Sequence, residues 1–146
     1  MSLVLDSSIA LAWVYSDEAT DAVKHVLSLV TENGAWVPAI WRLEVANVLE
    51  MGVRRGRTDA AFRNAALSDL GFLPISVDPE TDRHAWDATL RLASRNRLTV
   101  YDAAYLELAQ RRRLPLATLD AELRAAAIAE GVPLLGAGTR AECPPS

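Results

Sequence analysis

Cysteine is almost absent from this chain of 146 residues. The one copy, Cys143, stands beside Pro144 and Pro145, so no internal disulfide is available. Histidine is nearly as scarce, and His25 and His84 lie too far apart for a Cys/His zinc site. No apolar run approaches the ~18 residues that a membrane span needs. The N-terminus also lacks the basic flank, long apolar core and small-residue cleavage site of a secretory leader. These absences predict a protein of the reducing cytoplasm with no membrane contact. There is no G-x-x-x-x-G-K-[ST] phosphate loop, no G-x-G-x-x-G and no G-x-S-x-G nucleophile elbow, which removes the commonest nucleotide-binding and serine-hydrolase chemistries.

Lysine occurs once, as Lys24, against fourteen arginines, and the net charge is −4. That balance argues against a simple electrostatic binder of nucleic acid. The arginines are nevertheless grouped, as Arg54, Arg55 and Arg57, as Arg95 and Arg97, and as Arg111 to Arg113. Planar guanidinium groups suit phosphate contacts, and they equally answer helix dipoles or solvate a surface. Aromatic residues make up only 6% of the chain, so Trp13, Tyr15, Trp36 and Trp41 stand out. They belong either to the core or to an apolar partner surface.

What is present is an alternation of short apolar strands with amphipathic helices. Strands are expected over 2–5, at Ala35-Trp36-Val37-Pro38, over 72–77 with a proline suited to an edge, over 114–119 and over 132–135. Helices are expected in the stretch from Asp17 to Val30, with Asp17 and Glu18 in its first turn and its end at Asn33-Gly34. Others are expected over 40–53, apolar nearly all round and therefore central, over 59–70, over 79–94, over 99–110 and over 120–129. The pattern predicts an α/β sandwich around a mostly parallel sheet, in one domain over 1–136, with a loose tail over 137–146.

Four carboxylates sit where this architecture gives them two readings each. Asp6 directly follows the first strand and Asp120 directly follows Leu116-Ala117-Thr118-Leu119. Each is either a helix N-cap or a ligand group at the carboxyl edge of the sheet. Glu44 stands between Leu43 and Val45 on an apolar helix, with Asn47 one turn on, and needs a partner or an outlet to a cleft. Asp102 completes a Thr99-x-x-Asp capping box and also places a carboxylate in the first turn of a helix. An all-carboxylate set without histidine favours a hard divalent cation such as Mg²⁺ or Mn²⁺.

The stretches "LVLDSSIALAW", "WRLEVANVL", "TVYDAAYLELA" and "LATLDAEL", in that order across residues 3 to 123, resemble the PIN-domain ribonucleases. The likeness is greatest to the VapC-type toxins of bacterial toxin–antitoxin pairs. The resemblance implies a PIN-like three-layer sandwich and metal-dependent hydrolysis of RNA. By it, Asp6 and Asp102 match the acids that hold Mg²⁺ or Mn²⁺, Glu44 the acid of the central helix, and Asp120 the fourth acid. Ser8, Asn47 and Thr118 match the supporting polar positions. It further implies a homodimer and a cognate antitoxin. A receiver domain fits poorly, because Asp6 is followed by serines and no late lysine exists. A haloacid-dehalogenase-type phosphatase would need an acid where Ser8 stands. The remaining rivals are a silent α/β binding module whose acids only cap helices, and a PIN nuclease of RNA processing without an antitoxin.

Overall fold

The protein is described here by a computed structural model covering residues 1–137. Cys143 and, apart from Ala137, the tail expected over 137–146 lie outside the described residues. The chain runs β1 (Leu3–Leu5), α1 (Ser7–Val14), a 3-10 turn (Ser16–Glu18), α2 (Asp21–Asn33), β2 (Ala35–Val37), α3 (Trp41–Arg54) and α4 (Ala60–Gly71). It continues through β3 (Ile75–Val77), α5 (Thr81–His84), α6 (Ala88–Asn96), α7 (Val100–Arg112), β4 (Leu116–Ala117), α8 (Ala121–Ala129) and β5 (Leu134–Leu135). The five strands form one sheet in the order β3-β2-β1-β4-β5, and every pairing is parallel. Val4, at the centre, is in register with Trp36 on one side and Leu116 on the other.

Parallel strands are covered by helices on both faces, so their sequences are continuous apolar runs. Leu3, Val4 and Leu5 are all buried. The proline-flanked strand β3 falls on an edge, as expected of a residue without a ladder donor. Gly34 ends α2 at φ 76, a conformation that strains L side chains, and a Cβ there would come within 3.1 Å of the Pro74 carbonyl oxygen.

Three expectations are corrected. Asp17 and Glu18 do not open α2; they occupy the 3-10 turn and pair with Arg57, while the Thr20 hydroxyl accepts the Val23 N–H at 3.2 Å as the true cap. The helix expected over 79–94 is broken between His84 and Ala88, because α5 buries no side chain that would hold its register, whereas α6 buries Thr89, Leu92 and Ala93. The central helix is α7, buried from Ala103 through Ala109, and not α3. Helix α3 buries only the stripe Trp41, Val45, Leu49 and Gly52, and leaves Leu43 74% exposed on its outer side.

The four aromatic residues singled out above belong mainly to the interior. Tyr15 and Trp41 are buried, Trp13 donates its ring N–H to the Val23 carbonyl at 2.8 Å, and Trp36 lies under the Arg112 guanidinium. Among the described residues the exposed aromatic side chains are Phe62, Phe72, Trp86 and Tyr101.

Candidate active site

The strand order places a topological switch between β1 and β4, since the chain builds outward from β1 to β3 on one side and from β4 to β5 on the other. Open parallel sheets bind ligands in the crevice beyond the strand ends at such a point. Asp6 leaves β1 there, and Thr118 to Asp120 leave β4 beside it; the Asp6 N–H donates to the Ala117 carbonyl at 3.0 Å.

Asp6 occupies the N-cap position of α1 yet makes no capping bond with its side chain. Its Oδ2 instead accepts from the Ser8 hydroxyl at 2.6 Å and the Thr118 hydroxyl at 2.7 Å. Both hydroxyls are themselves oriented by the β4–α8 turn. Ser8 Oγ accepts the Leu119 N–H at 2.9 Å, and Thr118 Oγ1 accepts the Asp120 N–H at 3.0 Å. Each hydroxyl accepts one backbone N–H and gives its single proton to Asp6, because an ionised carboxylate can only accept. A carboxylate only 5% exposed is thereby tied both to the first turn of α1, through Ser8, and across the switch point, through Thr118.

The other acids join it through helix beginnings. Glu44 lies in the first turn of α3, Asp102 in the first turn of α7, and Asp120 is the N-cap of α8. Four helix N-termini thus point partial positive charge at one set of carboxylates, which offsets part of their mutual repulsion. The repulsion is still felt. Burial pushes Asp6 above the ordinary aspartate range, and the charge of Asp120 adds to this against the pull of Ser8 and Thr118. Burial also raises Glu44, with Asp6 and Asp102 contributing and the Tyr105 hydrogen bond opposing. Asp102 is raised by burial, then by Asp120 and Asp6, and more weakly by Glu122. The four predicted acids therefore form one electrostatic unit.

The sequence pattern of the PIN domain family matches residues 3–129. The chain belongs to the PIN domain family. PIN domains are nucleases. Among solved structures, that of PAE2754 from Pyrobaculum aerophilum matches with a TM-score of 0.65 and 26% identity, covering 86% of this chain and 79% of that one. A toxin-antitoxin complex from Klebsiella pneumoniae matches with a TM-score of 0.53 and 18% identity, over 81% of this chain and 86% of that chain. VapBC2 from Rickettsia felis bound to a DNA fragment from their promoter matches with a TM-score of 0.61 and 12% identity, over 92% and 97%. No curated protein matches the sequence.

In this PIN domain the capping readings hold for two of the four acids. Asp120 Oδ2 accepts the Leu123 N–H at 2.8 Å, and Thr99 Oγ1 accepts the Asp102 N–H at 3.1 Å. Asp120→Ala is therefore expected to lower stability by about 1 kcal/mol, or about 3 °C in thermal denaturation, and Asp120→Asn by little. Of the supporting positions, Ser8 and Thr118 touch Asp6 directly. Asn47 is exposed on α3 and makes no hydrogen bond to the acids among the described residues.

Among the described residues no three Asp, Glu, His or Cys side chains are gathered closely enough to form a ready-made metal cage. The donor set still fits a hard cation. All four groups are carboxylates, they sense one another's charge, and Mg²⁺ takes one or two carboxylates directly and keeps several waters.

Most clustered arginines are committed elsewhere. Arg54 pairs with Glu50, Arg57 with Asp17 and Glu18, and Arg95 with Glu130. Arg111 and Arg112 converge on the buried Asp78, at 2.6 and 3.2 Å. Arg97 is different. It caps α6 in the left-handed region at φ 55, makes no ion pair among the described residues, and lines a cavity of about 340 Å³ with Glu122, the residue whose charge reaches Asp102.

Sequence reasoning overlooked one residue of the site. Tyr105 lies one turn after Asp102, fully buried, and donates its hydroxyl proton to Glu44 Oε1. Burial and the charges of Asp6 and Glu44 raise its ionisation far above the ordinary tyrosine value, so it remains a donor. The i,i+3 spacing from Asp102 was its only signal in the sequence.

Proposed function

We propose that this chain, as a single PIN domain over residues 1–136, is a Mg²⁺- or Mn²⁺-dependent endoribonuclease acting in the cytoplasm as the toxin of a VapBC-type pair. The observation that carries the nuclease reading is Asp6, a buried carboxylate at the sheet's switch point held both by Ser8 of its own helix and by Thr118 beyond β4, within the field of Glu44, Asp102 and Asp120. Asp6 and Asp102 would hold the cation, with Glu44 and Asp120 completing the acidic wall. The chemistry that Mg²⁺ or Mn²⁺ would supply there is neutralisation of charge on a phosphate and acidification of a water. Ser8 and Thr118 hold Asp6 Oδ2 between the start of α1 and the end of β4, so its negative charge stays at the crevice.

The toxin assignment is supported by the ordered motifs around these acids, and toxin–antitoxin complexes are among the folds that match. A cognate antitoxin would lie over helices near the site and present a basic side chain to the acids. The expected assembly is a homodimer, which sedimentation at tens of micromolar checks.

Purified protein incubated with total RNA is expected to cut it in millimolar Mn²⁺ or Mg²⁺ and to stop on chelation. RNA left intact at all divalent concentrations overturns the nuclease reading. Arg97, the uncommitted guanidinium at the edge of the acids, is expected to engage the RNA backbone. Arg97→Ala should weaken RNA binding and reduce the slope of log affinity against log salt by about one, without lowering the melting temperature. An unchanged salt slope would place the RNA path elsewhere.

A further inference from the structure

Glu44 has the longest side chain of the four acids, and a single group holds it. Asp6 is pinned by two hydroxyls, Asp120 by its cap, and Asp102 sits at a capped helix start beside Thr99. The Glu44 side chain, only partly buried, has one hydrogen-bond partner among the described residues, the hydroxyl of Tyr105. Without it a glutamate would keep most of its rotamer freedom, which is among the largest of any side chain.

Tyr105 is suited to remove that freedom. Its side chain has two rotatable torsions and its ring is 0% exposed, so the hydroxyl is carried on a stiff arm rooted in the core. The hydrogen bond joins α7 to α3 and therefore ties the helix bearing Asp102 to the helix bearing Glu44. The donor is also neutral. A lysine or arginine in its place would neutralise Glu44 and compete with any cation that the acids attract, whereas a phenol orients the carboxylate and leaves its charge in the site.

We propose that Tyr105 is the positioning residue for Glu44: its hydroxyl holds Oε1, so that Oε2 is presented toward Asp6 and Asp102. What the presented oxygen serves, a divalent cation at the acids, rests on the nuclease reading; the clamp itself does not.

Tyr105→Phe keeps the ring and removes the hydroxyl. Mn²⁺ affinity, read from the dependence of the melting temperature on Mn²⁺ concentration, is expected to fall about 10-fold or more, the range for partners that orient metal-binding groups being about 10–100-fold. In a Glu44→Ala background the same substitution is expected to change Mn²⁺ affinity less than about twofold, because the group it positions is gone. RNA cleavage should lose kcat with KM little changed. A wild-type Mn²⁺ affinity in Tyr105→Phe overturns the proposal, and so does an equal loss in both backgrounds, which would mark a packing effect. A parallel cycle in chelator, with Tyr105→Phe, Glu44→Ala and the double variant, reads the clamp without metal. Non-additive melting shifts are expected, and additive ones overturn it. If wild type shows no response to Mn²⁺ at all, the nuclease reading falls and the chelator cycle alone decides Tyr105.

Discussion

Asp6→Asn is expected to cut RNA at less than about a hundredth of the wild-type rate while remaining folded. Removing a group that merely orients a metal-binding side chain costs about 10–100-fold, and removing the charge of a side chain that meets the cation itself should cost at least the upper end of that range. The fold is spared because an asparagine oxygen still accepts from the Ser8 and Thr118 hydroxyls that hold Oδ2, so neither is left unpaired. Alanine is the poorer test here. It would strip the acceptor from Thr118, which is fully buried, and confuse loss of chemistry with loss of stability. Asp102→Asn should behave in the same way, since the substitution leaves the backbone N–H that Thr99 Oγ1 accepts, and an asparagine oxygen can still accept from the Thr99 hydroxyl. Cleavage rates on total RNA, with circular dichroism to verify folding, are the measurement; wild-type rates in purified Asp102→Asn would reduce that residue to the beginning of a helix.

Millimolar Mn²⁺ is expected to raise the melting temperature of the wild-type protein by several degrees, and neither Asp6→Asn nor Asp102→Asn should retain that rise. A ligand at a hundred times its dissociation constant stabilises by about 2.7 kcal/mol, and about 3 °C per kcal/mol is the conversion for a chain of this size. In chelator the order should invert. Asp6, Glu44 and Asp102 are all held above their ordinary ionisation range, so in the ionised state they oppose folding, and neutralising one relieves the others. Both Asn variants should therefore melt slightly above wild type without metal. Lower melting in chelator together with a full metal response would show four unrelated acids.

The same shifts set the pH dependence of the metal-free protein. A carboxyl whose folded value is raised takes up its proton sooner in the folded state, so stability grows as pH falls through the folded values toward the unfolded ones of 3.8 and 4.5. Asp78 acts in the opposite direction. Its burial pulls upward, and the hydrogen bonds from Arg111 and Arg112 outweigh that and hold it low. Its contribution is present above the ordinary aspartate value and is lost as pH falls through the depressed one. Melting temperature in chelator should thus pass through a maximum in mild acid, and millimolar Mn²⁺ should flatten the neutral side of that curve. A monotonic fall from neutral pH downward would contradict the raised acids.

Local chemistry in the sequence was enough for several elements. The triplet Leu3-Val4-Leu5 reads as a strand buried on both faces, Thr99 and Asp120 as helix starts, and Asn33-Gly34 as a helix end, because each depends on a backbone propensity or a capping bond within a few residues. The four motif acids were also visible, since each stands at a predicted strand end, at a helix start or alone among apolar residues. Burial of whole helices was less legible. The apolar residues of α3 suggest a central helix, yet an i, i+4 stripe is all that its neighbours cover, and α7 takes the centre although it carries as many charged residues, four, as α3.

What the sequence by itself determined is which residue types stand at which local positions: acids at helix beginnings, hydroxyls two residues to either side, an alternation that demands parallel strands. Only the tertiary structure decided what each acid does there. Asp6 and Asp120 look alike in sequence, each following an apolar strand and preceding a helix. Asp120 caps its helix, whereas Asp6 is turned across the switch point by Thr118, 112 residues away. Tyr105 reaches Glu44 across 61 residues. A capping bond is made within one turn of chain and is therefore written in the sequence. A carboxylate held between strands 1 and 4, or clamped from another helix, depends on strand order, and strand order comes from long-range packing that no short stretch encodes.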